Sequence, residues 1–399
     1  MNDSPETHSE IPTAESTADT APMTPAQLAE AKEYGRLELY CGLADKALDI
    51  AVLAVMAFVL AVPLEKWLSG WFASQTVRLL AIFLMVTGIH MALSFPLSFY
   101  AGHVLEHRFG LSRLTWSGWL TRYAKRNLLA IAFGLAMTAA LYWVIWLTGP
   151  WWWLAAAGVF FLVSIVLGQL MPVVILPLFY KIERLDNAEL TARMARLSAG
   201  TGLSIEGVYR LGLSEETAKA NAMLAGLGRT RRVLMGDTLL DQFSGDEIEV
   251  IFAHEIGHHV FRHIRKMIVT GVLFSVLGFW VCNHVLLAWA ERQYGPLDAY
   301  QMPVSTLPLL MLSMTLFALL LEPLQNVISR RYERQCDRYA LERTGLRAAY
   351  VSAFQKLARL NKDDPAPHPL EVFLFHSHPP IGERLAMADS KKGSELFFN

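Results

Sequence analysis

His254, Glu255 and His258 stand in the order His-Glu-x-x-His inside the stretch 247–263. On a helix, residues four apart share a face, so His254 and His258 can aim at one ion. Neutral imidazole is a good ligand for Zn2+, and three protein ligands leave one coordination position open. Glu255 falls beside that position, where a carboxylate can take a proton from an attacking water and return it to a leaving amine. This is the spacing of metallopeptidase chemistry. Ile248, Val250, Ile251 and Phe252 surround it, and polar side chains in such company are costly unless partnered. The stretch reads as one helix through His263. His259 and His263 are also four apart but have no Glu between them. They read as polar-face residues or as supports behind the ligands.

A third ligand must come from elsewhere. The long metzincin form places a third His ten positions after the first, but Ile264 stands there. A later helix carries Glu333 and Asp337, four apart and on one face. Glu333 can bind the metal, and Asp337 can hold a ligand imidazole by its other ring nitrogen. The residues leave this open against an ordinary charged helix in which Arg330, Arg331, Arg334 and Arg338 pair the acids. Cys336 lies off the Glu333 face and reads as buried and inert.

Four blocks, in order, resemble the Ste24-type CAAX prenyl protease group of M48 zinc metallopeptidases. They run from Asn221 through Asp237 to Leu240, from Ala253 to His258, from Ser329 to Asp337, and from Ser377 to Leu385. The resemblance extends from about Tyr34 to about Leu385. It implies one Zn2+ per chain, held by His254, His258 and Glu333, with Glu255 as base and acid. It further implies that His378 and Arg384 steady the transition state. Asn221, with Ala222 beside it, would lie on the strand that holds the substrate backbone. The group has one more span at its amino end, and no run before Tyr34 corresponds to it. Read on its own residues, His378 is either a donor to the oxyanion, held rigid by Pro379 and Pro380, or a surface histidine in a turn. His376 matches the pattern less well.

The length of 399 residues would suit two or three soluble domains. Composition excludes that: hydrophobic residues are 53% and charged residues 18%, against about 25% charged in a typical soluble domain. The excess sits in runs long enough to cross a bilayer, near 47–64, 77–100, 128–148, 153–179, 267–290 and 303–324. Arg108, Arg113, Arg122, Lys125 and Arg126 lie between the second and third runs. Positive charge favours the cytoplasmic side, so by parity both motif-bearing regions come out cytoplasmic. His90, Gln169, Asn283 and His284 lie in or beside runs. They read either as interhelical hydrogen bonds or as the lining of a wet chamber. A net charge of -1 offers nothing to nucleic acid. Cys41, Cys282 and Cys336 give no disulfide framework.

The expected fold is mainly α: a polytopic transmembrane helical protein with a gluzincin-like zinc metallopeptidase domain containing a small β-hairpin or sheet. Its parts are a disordered polar tail without a signal peptide (1–30), four transmembrane helices with a basic cytoplasmic loop at 101–127 (31–179), and a peptidase core (180–267). Two more transmembrane helices (268–325) and the C-terminal part of the peptidase (326–399) follow. Within the core, 187–201 reads as a helix, 208–211 and 231–235 as strands. Ala220 to Ala225 and the turn Gly226 to Gly228 suggest a hairpin with an edge that can take an extended peptide.

The expected protein is an integral-membrane zinc endopeptidase of a bacterial inner membrane. Its partners are the lipid bilayer and a peptide or protein substrate, prenylated and CAAX-type or otherwise membrane-associated. A quality-control protease of the HtpX group would have fewer spans. A non-catalytic metal-binding scaffold or transporter would not need Glu255.

Overall fold

The computed structural model describes residues 22–203, 207–226 and 232–389. Thr24 accepts the Gln27 N–H while the Gln27 side chain takes the Thr24 N–H, a capping box that starts α1 (Pro25–Val55). The polar tail expected up to residue 30 therefore ends several residues earlier, and 1–21 lie outside the described residues. A π-turn joins α1 to α2 (Ala61–Ser69). Next come α3 (Gln75–Phe99), short α4 (Glu106–Arg108), α5 (Trp116–Thr148) and α6 (Trp152–Leu170). The chain reverses between α5 and α6 at Gly149, whose φ of 52° suits glycine.

Among the described residues, five stretches are long and apolar enough to cross a membrane: Pro25–Ser69, Gln75–Arg108, Trp116–Leu178, His263–Tyr294 and Val304–Thr344. The third and fourth expected runs share the stretch Trp116–Leu178, because helical turns continue through Gly149 to Trp151. Its two arms, α5 and α6, pack on each other. Inside, Tyr142, Ile145, Trp152, Leu79 and Ile82 are buried in one cluster. Outside, Leu128, Leu147, Leu162 and Leu320 are exposed, as suits a surface that faces lipid. Asn283 accepts the Trp152 indole N–H at 2.7 Å, which is the interhelical reading of that polar residue.

A mixed sheet of four strands follows, in the order β1-β2-β4-β3. Its strands are β1 (Ile182–Arg184), β2 (Gly207–Leu211), β3 (Ala222–Ala225) and β4 (Arg232–Gly236), with α7 (Ala188–Ser198) between β1 and β2. The expected hairpin is the antiparallel β3–β4 pair. Most of its expected turn lies outside the described residues. β2 joins β4 in parallel. β1 escaped the sequence reading because Ile182-Glu183-Arg184 offers one apolar residue and no alternation to detect.

Beyond short α8 (Asp237–Leu240) comes α9 (Gly245–Val260), capped by a Ser244–Glu247 box. Its apolar face joins Val233, Met235, Phe243, Ala340 and Tyr350 in a second core. The helix does not continue through His263 as expected. Arg262 adopts a left-handed φ of 57°, and His263 opens α10 (His263–Tyr294). A non-glycine residue is held there only by its surroundings. α11 (Leu307–Thr344) crosses back to pack on α9, followed by α12 (Arg347–Asn361), α13 (Pro369–Phe375) and α14 (Ile381–Asp389).

Candidate active site

α9 and α11 bring three donors together. His254 Nε2 lies 3.2 Å from Glu333 Oε2, and His258 Nε2 lies 3.3 Å from Glu333 Oε1. Tetrahedral arms of about 2.0–2.2 Å put ligand atoms about 3.3–3.6 Å apart, so the spacing fits one zinc ion. Glu333 Oε2 is buried and has no hydrogen-bond partner, a bare acceptor facing an imidazole nitrogen. The donor set of two imidazoles and a carboxylate is that of zinc.

Asp337 stands behind His254. Its Oδ1 accepts from His254 Nδ1 at 2.9 Å, which leaves Nε2 for a metal. Asp337 is fully buried. Arg384 clasps it, with Nε to Oδ2 at 2.9 Å and Nη2 to Oδ1 at 2.5 Å. Burial alone would lower the guanidinium pKa, and the Asp337 charge more than offsets it. Arg384 borders the cavity, yet Nε and Nη2 point at Asp337 rather than into open space. The charged-helix alternative fails for two of its arginines. Arg334 pairs with Glu383, and Arg330 donates to the Val372 carbonyl at 2.6 Å.

That second bond has a use. With Asn326, which donates to the Leu374 carbonyl at 2.7 Å, Arg330 pins the segment leading to His378. His378 Nε2 lies 3.6 Å from Glu333 Oε1 while its side chain stays 63% exposed at the mouth of the site. Partial desolvation by the walls of the mouth pushes its imidazole pKa down, against the opposing pull of Glu333. His376 is engaged elsewhere, with Glu371 at 3.2 Å.

A cavity of about 640 Å3 joins His254, Glu333, His378 and Arg384 to Asn221 and Ala222. Glu255 lines it, half-buried and without a hydrogen bond among the described residues. β3 lies at the sheet margin with its outer edge unpaired among the described strands. Asp237, whose position the sequence reading noted without a role, ties the end of β4 to the chain leaving β2. Its Oδ1 accepts the N–H groups of Leu213 and Ser214, each at 2.9 Å, and its Oδ2 accepts the Ser214 hydroxyl at 2.6 Å. Burial would raise this carboxyl, but those donors hold it below the ordinary range. Lys219 and Tyr34 meet on Glu106, Tyr34 at 2.6 Å and Lys219 at 3.2 Å, tying α1 and α4 to the β2–β3 connection. No sequence signal marks that junction, because its members lie far apart along the chain.

Gly257 explains how closely α9 and α11 approach. A Cβ there would stand 3.0 Å from the Cys336 Cα and 3.1 Å from its Sγ. Gly257→Ala should cost about 1–3 kcal/mol of stability through overpacking and weaken zinc binding, because the helices that bring His258 to Glu333 are forced apart. Chelator competition beside denaturant unfolding would check both; wild-type values in each would refute the contact.

A His-His-Glu cluster with His254 and Glu333 buried, set beside apolar spans, fits a membrane metalloprotease. Residues 6–181 match the family model for the CAAX prenyl protease N-terminal region, five membrane helices, and residues 184–392 match that for peptidase family M48. Among curated proteins, an uncharacterized metalloprotease of Bacillus subtilis, YhfN, is 28% identical over 93% of this chain and 88% of its own. CAAX prenyl protease 1 of Saccharomyces cerevisiae is 29% identical over 76% of this chain and 70% of its own. The crystal structure of S. mikatae Ste24p shares the fold, with a TM-score of 0.78 at 22% identity, covering 93% of this chain and 92% of that one. The chain belongs to peptidase family M48, within its CAAX prenyl protease group.

Proposed function

We propose that this protein is a zinc endopeptidase of the bacterial inner membrane. It hydrolyses peptide bonds near the carboxyl end of prenylated CAAX-type or other membrane-associated proteins, at the cytoplasmic face. The single observation that carries this reading is the meeting of His254, His258 and Glu333 in one cluster, of which His254 and Glu333 line a cavity with Glu255, Asn221 and Ala222. The orientation follows from the basic segment between α3 and α5.

His254, His258 and Glu333 hold the zinc, which when bound supplies Lewis acidity toward the scissile carbonyl and the attacking water. An extended substrate adds to the outer edge of β3, its backbone aligned by Asn221 and Ala222. Glu255 takes the proton of the attacking water and passes it to the leaving amine. His378 donates a hydrogen bond to the oxygen on which charge develops. Arg384 acts one step back, as a positioning residue that holds Asp337 against His254.

The test is purified protein, its zinc content measured, given a farnesylated Cys-a-a-X peptide and the same peptide without the lipid. One zinc per chain and preferential release of the last three residues from the farnesylated peptide are expected. Equal cleavage of both peptides would remove the prenyl specificity, and absence of zinc would remove the enzyme.

A further inference from the structure

His258 needs its own support, and the structure gives it a different one from His254. His263 is fully buried although histidine is polar. Its Nδ1 lies 3.2 Å from His258 Nδ1, and its Nε2 lies 3.0 Å from Gln335 Oε1. Its ring stacks on Tyr332 at 4.2 Å with an interplanar angle of 12°. The left-handed Arg262 turns the chain so that this ring faces back toward α9. One proton arrangement satisfies every atom when His258 Nε2 faces the metal. His258 Nδ1–H donates to His263 Nδ1, and His263 Nε2–H donates to Gln335 Oε1. Gln335 accepts, so it fixes which His263 nitrogen is bare.

We infer that His263 is a positioning residue, a hydrogen-bond acceptor that fixes the tautomer and ring orientation of His258, with Gln335 fixing its own. This inference rests on the reading of His254, His258 and Glu333 as a zinc site. One and a half turns of α11 then govern the whole cluster. Glu333 is a ligand, Asp337 anchors His254, and Gln335 anchors His258 through His263. The two anchors differ in charge: a carboxylate behind one imidazole, a neutral ring and amide behind the other. Cys336 Sγ also lies 3.6 Å from His263 Nδ1, and with His258 these atoms could form a second metal cluster. His258 Nδ1 cannot donate a proton to His263 and bind a second ion at once, so the two arrangements exclude each other.

The experiment measures zinc affinity by chelator competition on the full chain in detergent. His263→Phe keeps the ring and its stack on Tyr332 but cannot accept. His263→Asn gives up the ring but places a carbonyl oxygen near the position of Nδ1. The Phe variant should bind zinc about 10- to 100-fold more weakly, in the range lost when such supports are removed, with an unchanged size-exclusion profile. The Asn variant should recover most of that loss, which a packing role would not allow. Wild-type affinity in His263→Phe, or an Asn variant as weak as Phe, would overturn the inference. So would a second zinc equivalent that disappears in Cys336→Ala. Failure of the wild-type protein to bind zinc at all would instead sink the zinc reading itself.

Discussion

Glu255→Gln should leave zinc content at one per chain and lower the cleavage rate by about 10²–10⁴-fold, the usual worth of a positioned general base. The amide keeps the size of the side chain and its place in the cavity beside His254 and Glu333. It removes only the ability to take a proton. The two carboxylates of the His cluster are otherwise engaged: Glu333 lies between the two imidazoles, and Asp337 is bound by Arg384. Elemental analysis and a single-turnover peptide assay on the same preparation separate the two quantities. Cleavage at the wild-type rate with zinc in place would end the proposed mechanism. Loss of zinc would mean that Glu255 belongs among the ligands.

The second large effect concerns stability. Arg384→Ala should cost about 3–5 kcal/mol, because it leaves a fully buried carboxylate without its counter-charge. Arg384 makes two charge-assisted bonds to Asp337 in a fixed fork, so Arg384→Lys should restore only part of the loss. Pairing Arg384→Leu with Asp337→Asn removes both charges and should recover stability that either change alone loses, while zinc affinity stays low because His254 has lost its carboxylate. Denaturant unfolding in detergent, followed by limited proteolysis, reports the first quantity and chelator competition the second. Single variants as stable as the wild type would show that the pair does not hold this part of the core.

The sequence carried the local chemistry well and the assembly poorly. His254, Glu255 and His258 were legible because helical periodicity alone puts the two imidazoles on one face. Glu333 and Asp337 were legible for the same reason as a pair able to serve as ligand and support, but their own spacing did not separate that from an ordinary charged helix. That distinction depends on how α11 crosses α9, which spacing within one helix does not encode. Arg384 looked like a residue for the reacting carbonyl because position along the chain says nothing about which carboxylate it meets. His263 was grouped with His259 on the assumption of an unbroken helix. The left-handed Arg262 separates them, and no propensity of arginine announces such a conformation. The membrane segments were read from composition, while β1 and the Tyr34–Glu106–Lys219 junction left no pattern to read.

The break at Arg262 has a mechanical consequence. Two residues, Phe261 and Arg262, separate the helix bearing His254 and His258 from a helix of 32 residues, long enough to cross a bilayer. There is no slack linker in which movement could dissipate. The tilt of such a helix answers to the thickness of the surrounding hydrocarbon, and its first residue is the ring that steadies His258. Acyl-chain length therefore becomes a variable of the proposed zinc centre: thinner or thicker lipid would turn a lone pair.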